Sequence, residues 1–327
     1  MPKVSVLIPV YGVEKYIRRC AVSLFEQTLE EVEYIFVDDC SEDKSISVLE
    51  ETIERFPNSY AKVKILHHSE NRGSAAARNT ALNMATGEYI IVIDSDDFIE
   101  STMLEDLYNS AIDDMADIVV SDYWVDFKDR TVYKKQKAPT TGYECLKALL
   151  RGELHVSTSN KLVARKLFID NNIFHYEGLN FSEDMSVLFR LFYYARKVSY
   201  LPHAYLHYVQ YNTFSYTTTI SENSRKNIIR LVDIVETFFQ VNKIQDNDLW
   251  RDIDYYKLSV KSILLVSCSK EERGQYCNIY NDSVQYLCQH PTLPFHYKCI
   301  VLLASKNKIS LLNQLLGIFA LMKRLLK

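Results

Sequence analysis

Tyr89-Ile90-Ile91-Val92-Ile93-Asp94-Ser95-Asp96-Asp97 passes from five apolar residues straight into three carboxylates. The apolar run reads as a buried strand. Three negative charges discharged into one loop are costly unless something cationic collects them. Oxygen-only donors on a short loop suit a hard divalent ion such as Mg2+ or Mn2+, and such ions go with phosphate. Read alone, the run also fits a solvated turn whose Asp caps a helix over residues 98–110.

The residues upstream favour the first reading. Strand patterns at residues 4–9, 33–38, 63–67 and 89–94 alternate with helical patterns at 14–27, 43–55 and 74–85. Alternation with short connections predicts a parallel sheet covered on both faces. Ligands of open α/β sheets bind beyond the carboxyl ends of the strands. Pro9-Val10-Tyr11, Asp38-Asp39 and the 94–97 loop should therefore meet in one crevice.

Composition excludes other classes. The 327 residues are 47% hydrophobic and 24% charged, which is globular rather than disordered. Thirty-eight Lys and Arg against 42 Asp and Glu leave a net charge of −4, so no global basic field points to nucleic acid. Seven Cys lack CxxC spacing, no leader-like apolar stretch follows Met1-Pro2-Lys3, and no run of 18 apolar residues occurs. These features predict free thiols, a cytoplasmic setting and no spanning helix.

Downstream, residues 118–121 and 123–125 read as short strands with a turn at 128–130. Residues 142–151, 160–170 and 183–195 read as helices. Beyond about 220 the pattern is helical, at 222–243, 247–268, 271–289 and 309–327. The expected division is a catalytic domain over 1–218, with a nucleotide-sugar half (1–100) and an acceptor half (101–218), followed by a helical region over 219–327.

Four segments, in order, carry a resemblance. They are Val4 to Gly12 with Glu14 and Tyr16; Phe36 to Asp43; Glu70 to Asn79; and Ile93 to Asp97. Together they resemble the family 2 glycosyltransferases, inverting enzymes of the glycosyltransferase-A fold. The resemblance implies an α/β fold with a mostly parallel nucleotide-binding sheet flanked by helices, to which a C-terminal helical region is added here. By position it implies that Pro9, Val10 and Tyr11 line the nucleotide base with Glu14 nearby, and that Asp39 accepts from a uracil N–H, which a carboxylate can do. Gly73 lets the backbone pass close to the ligand and Arg78 neutralises charge in the crevice, although Arg78 also fits an ordinary ion pair. Asp94, Asp96 and Asp97 fall on the metal and ribose motif, with Asp96 and Asp97 nearest a Mn2+ or Mg2+ ion.

Residues 179–189 resemble the family's Glu-Asp motif, which makes Asp184 the candidate general base and Glu183 the next. Acids in a first helical turn also have a plain dipole explanation. Relatives carry an Arg near residues 205–215, where this chain has none; His207 or Lys161 could substitute. The implied reaction moves a sugar from a nucleoside-diphosphate donor, UDP-linked by the Asp39 reading, to a glycan or lipid-linked saccharide. A sugar nucleotidyltransferase would need a Gly-rich basic loop after the first strand, and a dinucleotide oxidoreductase a GxGxxG there. A non-catalytic nucleotide-binding assembly subunit would not need Asp96, Asp97 and Asp184. Finally, Leu311, Leu312, Leu315, Leu316, Ile318, Phe319, Met322, Leu325 and Leu326 form an apolar arc on one helix, with Lys306, Lys308 and Lys323 at its ends. It suits peripheral contact with the inner face of a membrane, or packing against its own domain or a second copy.

Overall fold

The computed structural model describes residues 1–179, 181–212 and 220–325. Asn180 of the Glu-Asp motif, residues 213–215 of the arginine-poor stretch and residues 326–327 of the last helix lie outside the described residues, as do the side chains of Tyr60 and residues 320–325. The chain forms two compact units, one of Met1–Leu146 with Leu154–Thr218, the other of Lys147–Glu153 with Thr219–Lys327.

Along residues 1–209 the order is β1 (Val4–Val10), α1 (Ile17–Phe25), β2 (Val32–Asp38), α2 (Ser45–Glu54), α3 (Pro57–Tyr60), β3 (Val63–His67), α4 (Ser74–Met84), β4 (Tyr89–Val92), β5 (Phe98–Ile99), α5 (Met103–Asp113), β6 (Ile118–Asp126), β7 (Thr131–Lys134), α6 (Gly142–Leu150, whose last residues from Lys147 belong to the second unit), β8 (Lys161–Ala164), α7 (Arg165–Asp170), α8 (Glu183–Tyr194) and β9 (Val198–Val209). The sheet runs β3-β2-β1-β4-β8-β6-β9-β5, with β7 paired to β6. β3, β2, β1 and β4 are parallel, as the alternation predicted. Every residue of β2 is buried, as expected for a strand covered on both faces. Val6, Ile8, Phe36, Ile91, Leu24, Leu49, Leu104 and Leu107 belong to the core beneath the helices.

The second half makes the sheet mixed. β8 is antiparallel to both β4 and β6, while β6 and β9 run parallel. These directions decide what stands at the upper edge. The C-terminal ends of β1, β2 and β4, the N-terminal end of β8 and the C-terminal end of β9 all point the same way. The loops holding Asp39, Asp94–Asp97, Thr158 and Val209 are thereby delivered to one rim.

The first unit departs from the sequence reading at several points, beginning with β6, a single strand where two short ones at 118–121 and 123–125 were expected. Residues 160–170 are not one helix: Lys161–Ala164 is a buried strand and only Arg165–Asp170 is helical. The helix expected over 98–110 begins at Met103, after the two-residue strand β5. β9 had no counterpart in the sequence reading.

The second unit holds α9 (Glu222–Val241), α10 (Asn247–Ser267), α11 (Phe295–Ser305) and α12 (Ile309–Leu325). Ser221 and Asp246 cap the first two through hydrogen bonds from backbone N–H groups. The helix expected over 271–289 is instead two 3-10 segments, Arg273–Tyr276 and Asn281–Gln289. α11 was not anticipated. All seven cysteines are free. Among the described residues, no helix is long and apolar enough to cross a membrane.

Candidate active site

Asp39 stands just beyond β2 and is buried. Its Oδ1 accepts the Arg72 N–H (2.9 Å) and lies 2.7 Å from His68 Nδ1, while Oδ2 accepts the Gly73 N–H (2.7 Å). A carboxylate has about four acceptor positions. Three are filled, and one on Oδ2 has no partner among the described residues. Gly73 reaches this geometry at φ +86°, a backbone region in which side chains are strained. Val10 accepts the Asp39 N–H through its carbonyl (2.9 Å), and Tyr11 beyond it is exposed. Pro9 precedes them, half-buried in β1. Glu14 is otherwise engaged: its Oε2 accepts the Lys44 N–H and its own N–H donates to Asp43, both at 3.0 Å. It clasps the start of α2.

The acid loop follows β4. The Asp97 N–H donates to the Asp94 carbonyl (2.9 Å), closing a tight turn. Asp97 is buried; Oδ1 accepts the Val209 N–H (2.8 Å), and Oδ2 has no hydrogen-bond partner. Asp96 Oδ2 accepts from the Asn212 amide (2.8 Å). Burial, with Asp94 beside it, pushes the Asp96 carboxyl up to about 6. Burial and the Asp96 and Asp94 charges push Asp97 well above the usual range.

Such a loop is destabilised as a trianion and stabilised by a cation. Orphaned Asp97 Oδ2 and partly buried Asp96 are hard oxygen donors suited to Mn2+ or Mg2+. No third His, Cys, Asp or Glu completes a metal cage among the described residues. Two carboxylates, with substrate phosphate and water filling the other positions, are the usual arrangement for a small divalent ion. The residues fit the group.

Arg78 ties this loop to the second half of the unit. It lies on α4 with its side chain 4% exposed. Nη2 donates to Asp94 Oδ1 and Nη1 to Glu183 Oε1, both at 2.6 Å, and Nη1 lies 3.2 Å from Asp184 Oδ1. Arg78 is thus the ion-pair partner of three acids, Asp94, Glu183 and Asp184. Glu183 Oε1 also accepts from the Ser74 hydroxyl (2.9 Å). Asp184 accepts twice from Thr158, from the hydroxyl at Oδ1 (3.0 Å) and the backbone N–H at Oδ2 (3.2 Å). Burial raises the Asp184 carboxyl above its ordinary value, with Arg78 opposing. Glu183 is raised by burial too, again against Arg78.

Neither substitute considered for the missing loop arginine fits. Lys161 is fully buried, and its ammonium donates to the His155 and Ser157 carbonyls and to Asn160 Oδ1. His207 lies flat on Phe98 (centroids 4.2 Å) with Nδ1 3.0 Å from Asp126. A cation the sequence reading passed over is closer to the chemistry. Arg19 sits over the Phe98 ring at 4.0 Å, donates to the Tyr211 hydroxyl (2.7 Å) and acts attractively on Asp96 and Asp97. Thr158, Ser74 and Asn212 were also missed. Each is a common polar residue whose importance comes from a partner about 26 to 116 positions away.

Comparison with known proteins identifies the family. The family described as glycosyl transferase family 2 matches residues 5–171. The EpsH protein of Bacillus subtilis (strain 168) is 36% identical over 220 residues, an alignment spanning 63% of this chain and 60% of EpsH. A cholesterol galactosyltransferase of Borreliella burgdorferi is 31% identical over 292 residues, spanning 84% of this chain and 79% of its own. Among solved structures, S. aureus TarS 1–349 in complex with UDP-GlcNAc superposes with a TM-score of 0.72 at 20% identity, covering 97% of this chain and 91% of that one. That likeness shows the same α/β fold. The extent of the family match and of the Borreliella alignment places the chain in glycosyl transferase family 2.

Proposed function

We propose that this chain transfers a sugar, with inversion, from a UDP-linked donor to a glycan or lipid-linked saccharide. The observation that carries the reading is Arg78, which joins the acid loop on the donor side to Asp184 on the acceptor side through one guanidinium. Asp39 keeps one acceptor position for the uracil N–H, with Pro9, Val10 and Tyr11 beside it. A Mn2+ or Mg2+ ion held by Asp96 and Asp97 would neutralise charge on the departing diphosphate. Asp184 takes the proton of the acceptor hydroxyl as its oxygen attacks the anomeric carbon from the face opposite UDP. The anomeric C–O bond to UDP breaks as the new glycosidic bond forms, so configuration inverts. TarS was crystallised with UDP and with UDP-GlcNAc, and a relative in Bacillus spizizenii is named a poly(ribitol-phosphate) beta-glucosyltransferase. The first supports a UDP donor and the second a polymeric acceptor.

The test is turnover of a panel of nucleotide sugars with Mn2+, with anomeric configuration read by NMR. One or more UDP-sugars should be consumed and the product bond inverted, with activity lost in EDTA. Turnover of GDP-sugars alone, retention of configuration, or full activity in EDTA would each overturn the corresponding part.

A further inference from the structure

Beyond Asp282 the sequence contains no acidic residue, yet it carries Lys298, Lys306, Lys308, Lys323, Arg324 and Lys327, in a protein of net charge −4. Charge segregated this strongly marks a surface meant for an anionic partner. The helices in the same span add a second observation. Leu312 is fully buried and Phe319 sets its ring 5.4 Å from His296 of α11. These two positions, seven apart, dock α12 on α11. Leu311 and Ile318, also seven apart, are 50% and 55% exposed. On α11, Phe295 and Leu302 repeat the spacing at 81% and 43% exposure, with exposed Lys306 within a turn of Leu302, whereas Lys298 donates to the Cys288 and His290 carbonyls (3.0 and 2.8 Å). Scattered exposed apolar residues need no explanation. Two pairs at heptad spacing, on neighbouring helices whose only charges are positive, do.

We propose that α11 and α12 form a docking surface for an anionic lipid bilayer, with Phe295, Leu302, Leu311 and Ile318 entering the interfacial layer and the lysines meeting headgroups. Shallow apolar insertion combined with a basic rim is the chemistry of an in-plane membrane contact. A second copy of the chain fits less well, because it would bring cations against cations with no acid to pair them. The inference goes beyond the transfer reaction and stands or falls separately from it.

The full chain should co-sediment with vesicles containing 30% phosphatidylglycerol and not with pure phosphatidylcholine, and raised salt should release it. Replacing Phe295, Leu302 and Ile318 by Ser should weaken partitioning at least about tenfold, since each buried side chain contributes independently. Lys306→Gln with Lys308→Gln should weaken it several-fold and flatten the salt dependence. Failure of the unaltered chain to bind anionic vesicles at low salt would overturn the proposal, as would equal binding to both vesicle types. Binding that survives the triple substitution would also overturn it. A concentration-dependent doubling of mass, abolished by the same substitutions, would assign the surface to a second copy instead.

Discussion

At Asp184, the proposed base, two demands meet. Burial raises its carboxyl, making it a better proton acceptor, while Arg78 and Thr158 hold it ionised and oriented. A base works only when deprotonated, so the rate should fall as pH drops through this raised value, at a higher pH than an ordinary Asp would give. Asp184→Asn should lower kcat by about 10²-fold or more while UDP affinity stays within a few-fold. Glu183→Gln should do less, because Oε1 of Glu183 already serves Ser74 and Arg78. Thr158→Val removes one donated hydrogen bond to the carboxylate, so the acid limb of kcat should move to higher pH, and Thr158→Ser should restore it. Near-normal transfer by Asp184→Asn together with an inactive Glu183→Gln would move the base by one residue. The acids and Arg78 were legible in the sequence because they fall on motifs. Their mutual arrangement was not, because one guanidinium satisfying Asp94, Glu183 and Asp184 depends on how α4 and α8 pack.

Among elements, Glu33 does for the lower part of the sheet what Arg78 does for the rim. From β2 its Oε1 accepts from the Ser5 hydroxyl of β1 (2.7 Å) and from the Thr86 N–H (2.6 Å) before β4, and Oε2 accepts from Lys64 of β3 (2.8 Å). Burial opposes its ionisation, but Lys64, Ser5 and Thr86 outweigh that and bring the carboxyl from the usual 4.5 down to about 2. A depressed value contributes stability that is complete above about pH 4.5 and lost as pH falls towards 2. Because Lys64 is 40% exposed, solvent screens part of the effect, leaving on the order of 1–2 kcal/mol. Glu33→Gln should lower denaturant stability by about that amount at pH 7 and by little near pH 2; an equal loss at both would show that charge is irrelevant.

The parallel strands joined by Glu33 were readable from their uninterrupted apolar runs. β8 was not, since Lys161–Ala164 passes into α7 without a breaker and the apolar residues of both merge into one helical pattern. β9 contains Pro202 and pairs with β6 through register shifts at Ser121 to Tyr123, which breaks the alternation that identifies a strand.

For the whole molecule, the expected catalytic domain over 1–218 contains a segment that belongs to the other unit. Residues 147–153 lie with the helical unit, where Arg151 pairs with fully buried Asp252 (2.7 and 3.0 Å) and its carbonyl accepts from Thr292. A chain ending at residue 218 keeps Arg151 and loses both partners. It should unfold at a lower temperature than the full chain, and Asp252→Ala in the full chain should cost about 3 kcal/mol, the low end of the range for breaking a buried pair, because Arg151 is partly exposed. A 1–218 fragment with the thermal midpoint of the full chain would show that the shared segment is incidental.

The bond from Val209 to Asp97 has a further meaning for synthesis of the chain. The acid loop leaves the ribosome early, but a backbone bond to Asp97 comes from Val209, 112 residues later, and among the described residues β5 beside it pairs only with β9. The first hundred residues therefore emerge with Asp94 already held by Arg78, but with Asp96 and Asp97 still lacking their bonds from Asn212 and Val209. Closure over so long a span is slow relative to helix formation. Donor binding should consequently appear during translation as a late event, gated by the emergence of residue 209 rather than by completion of the nucleotide half.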